Sequence, residues 1–232
     1  MNSMCHCRPL RSAILAALLL AAVAGYPTSV RAGDQPEWTF NPLGWTAGSD
    51  DFLAEGDAGF AVRRDLPRCG QLAIEASVQV ERSVGPRWKV AGLAVFDNAE
   101  NYWQLALVES PDEDGAKRFV ELSQMRAGQW LSHGNLRCSR RETGRPWQPG
   151  QAYRLVLSLD GKGIEGRVTD AEDNVVGHIR YEFTAEAVTA GRPALRSDGF
   201  VARLSGIKTR CEQPLPDATP EFPPYTSDSF VA

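Results

Sequence analysis

Apolar residues at helical spacing are almost absent from this 232-residue chain, and only residues 185–190 admit a helical turn. Histidine is as scarce: there are three, and no C-x-x-C pair accompanies them, which argues against a zinc site or a haem attachment. No G-x-S-x-G elbow, H-E-x-x-H helix or phosphate-cradling G-x-x-x-x-G-K-[ST] occurs. Basic charge is short as well, with 25 Lys and Arg against 29 Asp and Glu, so no nucleic-acid partner is expected. No apolar run is long enough to span a bilayer.

The longest apolar run, 13–24, follows Arg8 and Arg11 and precedes Val30 and Ala32, a V-x-A cleavage site. Residues 1–32 therefore read as a secretory signal peptide, and the chain as secreted or periplasmic. Cleavage after Ala32 removes three arginines and no acid, leaving 22 basic residues and a net charge of −7. Cys5 and Cys7 leave with the signal. Cys69, Cys138 and Cys211 remain, an odd number in an oxidising compartment, so one bridge and one spare thiol are expected.

The body of the chain, 33–211, reads as one all-β domain of two stacked antiparallel sheets, a β-sandwich or jelly roll. Its centre is the stretch VAGLAVFDNAENYWQLALVE, in which apolar runs 90–96 and 102–108 flank a polar turn, the pattern of a β-hairpin. Neither side of that hairpin is cleanly polar, so it must be covered on both sides or present aromatics on an open face. From Leu72 to Glu81 the alternation is nearly strict, with Glu75, Ser77, Gln79 and Glu81 on the wet side. Further strands are expected over 60–63, 119–125, 153–159, 163–169, 175–183 and 201–209, separated by turns such as Asp160–Gly161 and Asp198–Gly199. Residues 212–232 carry five prolines and little apolar periodicity, the composition of a linker or tail.

The segments VAGLAVFDNAENYWQLAL, AYRLVLSLDGKGIEGRV and GRPALRSDGFVARLSGIKTR resemble the concanavalin A-like lectin/glucanase superfamily, within it the laminin G-like and 3-keto-disaccharide hydrolase-type domains. The resemblance runs from Trp45 to Arg210 and rests on glycine turns and alternation. It implies two curved antiparallel sheets, with glycans commonly bound on the concave face or at the loop rim. It also implies that the last strand lies beside the first long one, which favours a Cys69–Cys211 bridge over pairs containing Cys138. The catalytic strand of laminarinase-like members, E-x-D-x-(x)-E, is not matched. Glu75 and Glu81 are six residues apart, roughly 20 Å along a strand, and the Asp between the acids is missing.

Candidate carbohydrate-binding residues are the aromatics Trp88, Tyr102, Trp130 and Trp147, whose faces can stack on sugars, and the polar Glu75 and Gln79. Trp88 and Trp147 follow prolines in expected loops, which favours their exposure. The competing reading places Trp103 or Tyr102, and Trp130 with them, in the core, since large aromatics commonly fill the space between two sheets. Arg137, Arg140, Arg141 and Arg145 could hold an anionic polysaccharide, but with Glu142 interleaved they read as a solvated loop. The acidic turns 97–101, 112–114 and 170–174 have the oxygen-rich composition that calcium takes without an EF-hand pattern. No metal or cofactor is assigned, and calcium is the one candidate. The expected function is a secreted carbohydrate-binding module accessory to a glycan-processing protein, with poly- or oligosaccharide and a downstream catalytic domain as partners. The alternatives are a hydrolase of the 3-keto-disaccharide type and an adhesion module without a small ligand.

Overall fold

The computed structural model describes residues 37–131 and 136–216. The expected signal peptide, residues 1–32, together with His133 and most of the Pro-rich tail, lies outside the described residues. The fifteen strands are β1 (Trp38–Phe40), β2 (Trp45–Ala47), β3 (Asp51–Gly56), β4 (Gly59–Arg63), β5 (Leu72–Ser83), β6 (Lys89–Asn98), β7 (Asn101–Glu109), β8 (Arg118–Arg126), β9 (Gln129–Trp130), β10 (Arg137–Thr143), β11 (Ala152–Leu159), β12 (Gly163–Thr169), β13 (Val175–Glu182), β14 (Arg192–Asp198) and β15 (Phe200–Cys211). They form a seven-stranded sheet, β1-β4-β14-β6-β7-β8-β9, and an eight-stranded sheet, β10-β13-β12-β11-β5-β15-β3-β2. Every pairing is antiparallel, and the sheets stack as the expected sandwich.

The hairpin of β6 and β7 lies in the middle of the seven-stranded sheet, paired from Lys89↔Glu109 to Asn98↔Asn101. Ala91, Leu93, Val95, Trp103, Leu105 and Leu107 point into the core between the sheets. There they meet Ile74, Ala76, Val78, Leu155, Leu157 and Ile179. Trp103 donates its indole N–H to the Val188 carbonyl at 2.9 Å and stacks on Tyr181 at 6.0 Å, so its one polar atom is satisfied inside the core. The carbonyl of Glu186 likewise accepts from Gln124 at 3.2 Å. With these carbonyls turned to side chains, 185–190 holds one turn and no helix.

Strands β1, β2, β3 and β9 lie outside the expected set, and three further regions differ from expectation. Of the arginine run, Arg137, Arg140 and Arg141 lie on a strand, β10, paired on one side to β13 at the margin of the eight-stranded sheet, and Arg145 follows it. Residues 192–198 form β14 in the interior of the seven-stranded sheet in spite of Pro193. Pro193 is opposite Val95 of β6, while pairing to β4 begins only at Ala194, so the strand tolerates a residue that donates nothing. Asp112–Asp114 forms a short 3-10 turn.

The last strand does lie beside the first long one: β15 pairs along β5 from Phe200↔Ser83 to Cys211↔Leu72. Cys69 and Cys211 are disulfide-bonded with Cα atoms 5.8 Å apart, and Cys138 is free and exposed. The backbone at Cys69 also bridges to Gly191 on one side and Pro214 on the other. That small ribbon closes one end of the sandwich and ties the start of β5 to the entry of β14.

Candidate functional site

The structure divides the sequence candidates between the two outer faces and the core. Glu75 and Gln79 lie on the outer face of the eight-stranded sheet. Glu75 accepts from Arg154 Nε at 3.0 Å, Arg154 Nη2 at 2.9 Å and Lys208 Nζ at 3.1 Å. Those donors, Arg154 first, hold its carboxyl below the usual range against the opposing effect of burial. Gln79 donates to the Gly150 carbonyl at 2.8 Å. Both side chains are committed to their neighbours.

Trp147 corrects the expectation of an exposed loop aromatic. It is fully buried, packs edge-on against Phe200 at 5.6 Å and donates to the Val108 carbonyl at 2.9 Å. It follows Pro146 in a loop, but the apolar surface within reach is the sandwich interior, and a satisfied indole N–H removes the cost of burying it.

Tyr102, Trp130 and Trp88 all belong to the outer face of the seven-stranded sheet. Strand alternation turns Phe60 and Val62 of β4, Ala194 and Arg196 of β14, Ala94 and Phe96 of β6, and Tyr102 and Gln104 of β7 to this side. Phe60, Val62, Ala94, Phe96, Tyr102 and Ala194 form an apolar cluster separate from the core, with Met125 against it. Phe60 meets Phe96 at 4.7 Å and Tyr102 at 4.8 Å, and Tyr102 meets Trp130 at 5.7 Å. Two strands separate β4 from β7, so these rings close over the alanines between them. Small residues at Ala94 and Ala194 make that possible.

Trp130, 51% exposed, ends this track of rings at β9. Trp88, 57% exposed, stands at the other end of β7 and β8, edge-on to Phe119 at 6.3 Å. Tyr102, Gln104, Ala106 and Val108 lie between them opposite Met125, Ser123, Glu121 and Phe119, a length of roughly 20 Å. Tyr102 corrects the expectation of a surface platform in a different way, because it is only 4% exposed although it faces outward. Burial pushes its hydroxyl pKa up, and the nearby Arg196 guanidinium opposes that shift.

Polar groups sit among the rings. Arg196 places its guanidinium 4.7 Å from the Phe60 centroid and donates to Asp198 Oδ2 at 2.6 Å. Ser123 donates to Glu121 at 3.1 Å. Gln104 Oε1 is buried without a hydrogen-bond partner among the described residues. Sequence reasoning passed over Phe60, Phe96, Gln104 and Arg196, because which side of a strand faces outward depends on the partner sheet. The signal available was the apolar character of both sides of the hairpin. Among the described residues no group of three acidic, His or Cys side chains is gathered as a metal site. The acidic turn 170–174 is closed on itself by Asn174 and Arg145, which bond Asp170 at 2.9 and 2.8 Å.

No described protein family matches the chain by sequence, and no curated protein does either. Its fold is shared with solved β-sandwich structures of carbohydrate-binding and carbohydrate-processing proteins. The carbohydrate binding module CBM66 from Bacillus subtilis aligns with a TM-score of 0.54 at 14% identity, over 76% of this chain and 97% of that one. The exoplasmic/lumenal domain of VIP36, in its Ca2+/Man3GlcNAc-bound form, aligns with a TM-score of 0.53 at 9% identity, over 78% of this chain and 86% of that one. A GH43 protein, BlXynB from Bacillus licheniformis, gives a TM-score of 0.54 at 12% identity, over 75% of this chain but 37% of that one. At these identities the likeness is one of fold.

Proposed function

We propose that the protein is an exported carbohydrate-binding β-sandwich whose ligand face is the outer surface of the seven-stranded sheet between Trp130 and Trp88. The observation that carries this reading is the placement of two exposed indoles at opposite ends of one sheet face, with rings and hydrogen-bonding side chains between them. Stacking on sugar C–H faces needs exposed aromatic planes, and orientation of the hydroxyls needs fixed polar groups such as Gln104, Ser123 and Glu121. The neighbours named above support the sugar class, one as a carbohydrate binding module and one as a glycan-bound lumenal domain. The disulfide supports an oxidising compartment, and no described helix is long and apolar enough to cross a membrane. Service to a glycan-processing enzyme belongs to the same proposal.

A hydrolase reading gains no specific support from this face. Its two carboxylates, Glu121 on β8 and Asp198 on β14, have β7 and β6 between them, about 14 Å of backbone separation. Paired glycosidase carboxyls work at roughly 5–9.5 Å. The test is a titration of the mature protein with a panel of neutral and acidic oligosaccharides, followed by intrinsic tryptophan fluorescence. Saturable binding that Trp130→Ala weakens is the expected result. A panel that leaves the fluorescence unmoved overturns the reading.

A further inference from the structure

Trp88 and Trp130 are the aromatic side chains that stand in the open among the described residues, and both belong to one side of one sheet. Val90 is opposite Val108 on that side, which puts Trp88, two residues earlier, on it as well, and Trp130 is opposite Met125, itself opposite Tyr102. Trp88 leans on Phe119 at 6.3 Å and Trp130 on Tyr102 at 5.7 Å. Phe119 is opposite Val108, so the stretch of β7 from Tyr102 to Val108 separates the two contacts, roughly 20 Å at the strand rise. A disaccharide cannot touch both. The floor between the indoles is sealed: Ala94 and Ala106 are 0% exposed and Val108 1%, so the packed side chains leave no pit there that would take the terminal ring of a chain.

Charge narrows the ligand further. Between the indoles the outward residues of β6, β7 and β8 include no Lys or Arg, and Glu121 lies half-buried among them. The arginines of β14 on this side are buried and engaged, Arg192 with the Leu66 carbonyl at 3.3 Å and Arg196 with Asp198 at 2.6 Å. At the Trp88 end the Asp112 N–H donates to the Pro86 carbonyl at 3.2 Å, which holds Asp112, Glu113 and Asp114 near the indole, all exposed and outnumbering the exposed Lys117 that follows them. A uronate or a sulfate ester would meet carboxylates here and find no open guanidinium fork, whereas the hydroxyls of a neutral sugar can donate to Glu121.

We infer that this face takes the interior of an extended, neutral, linear polysaccharide, one chain lying over Trp88 and Trp130 together. The inference rests on the carbohydrate-binding reading and specifies the ligand as a polymer held along its length, not by an end. Once one indole is stacked, the covalent links of the chain present its next rings to the other indole at high local concentration, so two weak platforms act as one site.

Calorimetric titration with cello-, xylo- and manno-oligosaccharides from disaccharide to octasaccharide, beside oligogalacturonides of the same lengths, tests this. Affinity for at least one neutral series should rise roughly fivefold or more once the chain reaches both indoles. It should exceed that for the acidic series and stay unchanged when the terminal sugar is reduced to its open-chain alditol. Trp88→Ala and Trp130→Ala should each cost the octasaccharide about fivefold, with the disaccharide affinity and the melting temperature largely unmoved. Trp88→Phe keeps an aromatic plane and should recover most of the loss. Affinity independent of chain length, a loss on end reduction, a tighter acidic series or a loss confined to one indole overturns interior binding and leaves the sugar-binding face standing. Absence of heat with every neutral and acidic chain removes the carbohydrate reading itself, and this inference with it.

Discussion

The two outer faces of the sandwich solve the same problem of exposure with opposite materials. Around Glu75 on the eight-stranded sheet, long charged side chains lie in register across neighbouring strands and neutralise one another. Arg180 joins Asp160 at 2.7 Å and Glu165 at 3.1 Å, and His178 meets Glu165 at 2.6 Å. Such pairs are worth little in stability, and they bind most of the charged groups to one another, although His178 Nδ1 is itself buried without a hydrogen-bond partner among the described residues. On the seven-stranded sheet rings meet rings over alanines, and a buried Gln104 oxygen has no partner among the described residues. Alternation alone is therefore a poor guide to which face is inert. One outward face is occupied with pairing its own charges, and the other turns rings outward, where stacking partners can reach its ends.

The contrast can be broken first at the core that both faces share. Trp147→Ala should cost about 3–5 kcal/mol in denaturant unfolding, because it opens a cavity and orphans the Val108 carbonyl, with no selective loss at either face. A smaller effect centred on ligand binding would return Trp147 to the surface. Next comes the bridge that ties the end of β15 to the segment entering β5. Cys69→Ala with Cys211→Ala should lower stability by roughly 2–4 kcal/mol, given 142 residues between the partners. Peptide mapping of unreduced protein should recover the pair without Cys138.

Two milder changes sharpen the comparison. Trp130→Ala should weaken oligosaccharide binding by about 1 kcal/mol and leave the melting temperature alone, since its platform is used only in the complex. The same loss from Gln79→Ala would move the ligand to the other sheet. Glu75→Gln should change unfolding free energy at neutral pH by well under 1 kcal/mol, because Arg154 and Lys208 are largely solvated. Its folded pKa is depressed, so that contribution is present above the unfolded value and fades as pH falls through the lower folded value, below 4.5. A wild-type advantage that grew with acid would contradict the pairing.

The fold was legible because Leu72–Glu81 and the β6–β7 hairpin state their period plainly, and the bridge followed from placing β15 beside β5. The site was half legible. Trp88 and Trp130 are visible as aromatics near turns, but Trp147 in an identical setting is core, and only the opposing sheet decides between them. Phe60 and Phe96 look like any strand residue until the topology brings β4 within reach of β7. Strand β14 was hidden by Pro193, whose harm depends on which neighbour starts pairing where.

The arginine run of β10 has a meaning that concerns crowding and not ligands. A sandwich has four raw margins, each with unpaired backbone groups that could recruit another chain. Three of them, β1, β2 and β9, are only two or three residues long. The fourth is seven residues and would be long enough to seed intermolecular pairing. Its register slips between Cys138 and Arg140, and it is studded with Arg137, Arg140, Arg141 and Glu142. A like strand approaching edge to edge would have to bring cations together on a bent ladder. Such an edge disfavours pairing between copies of the chain while it folds.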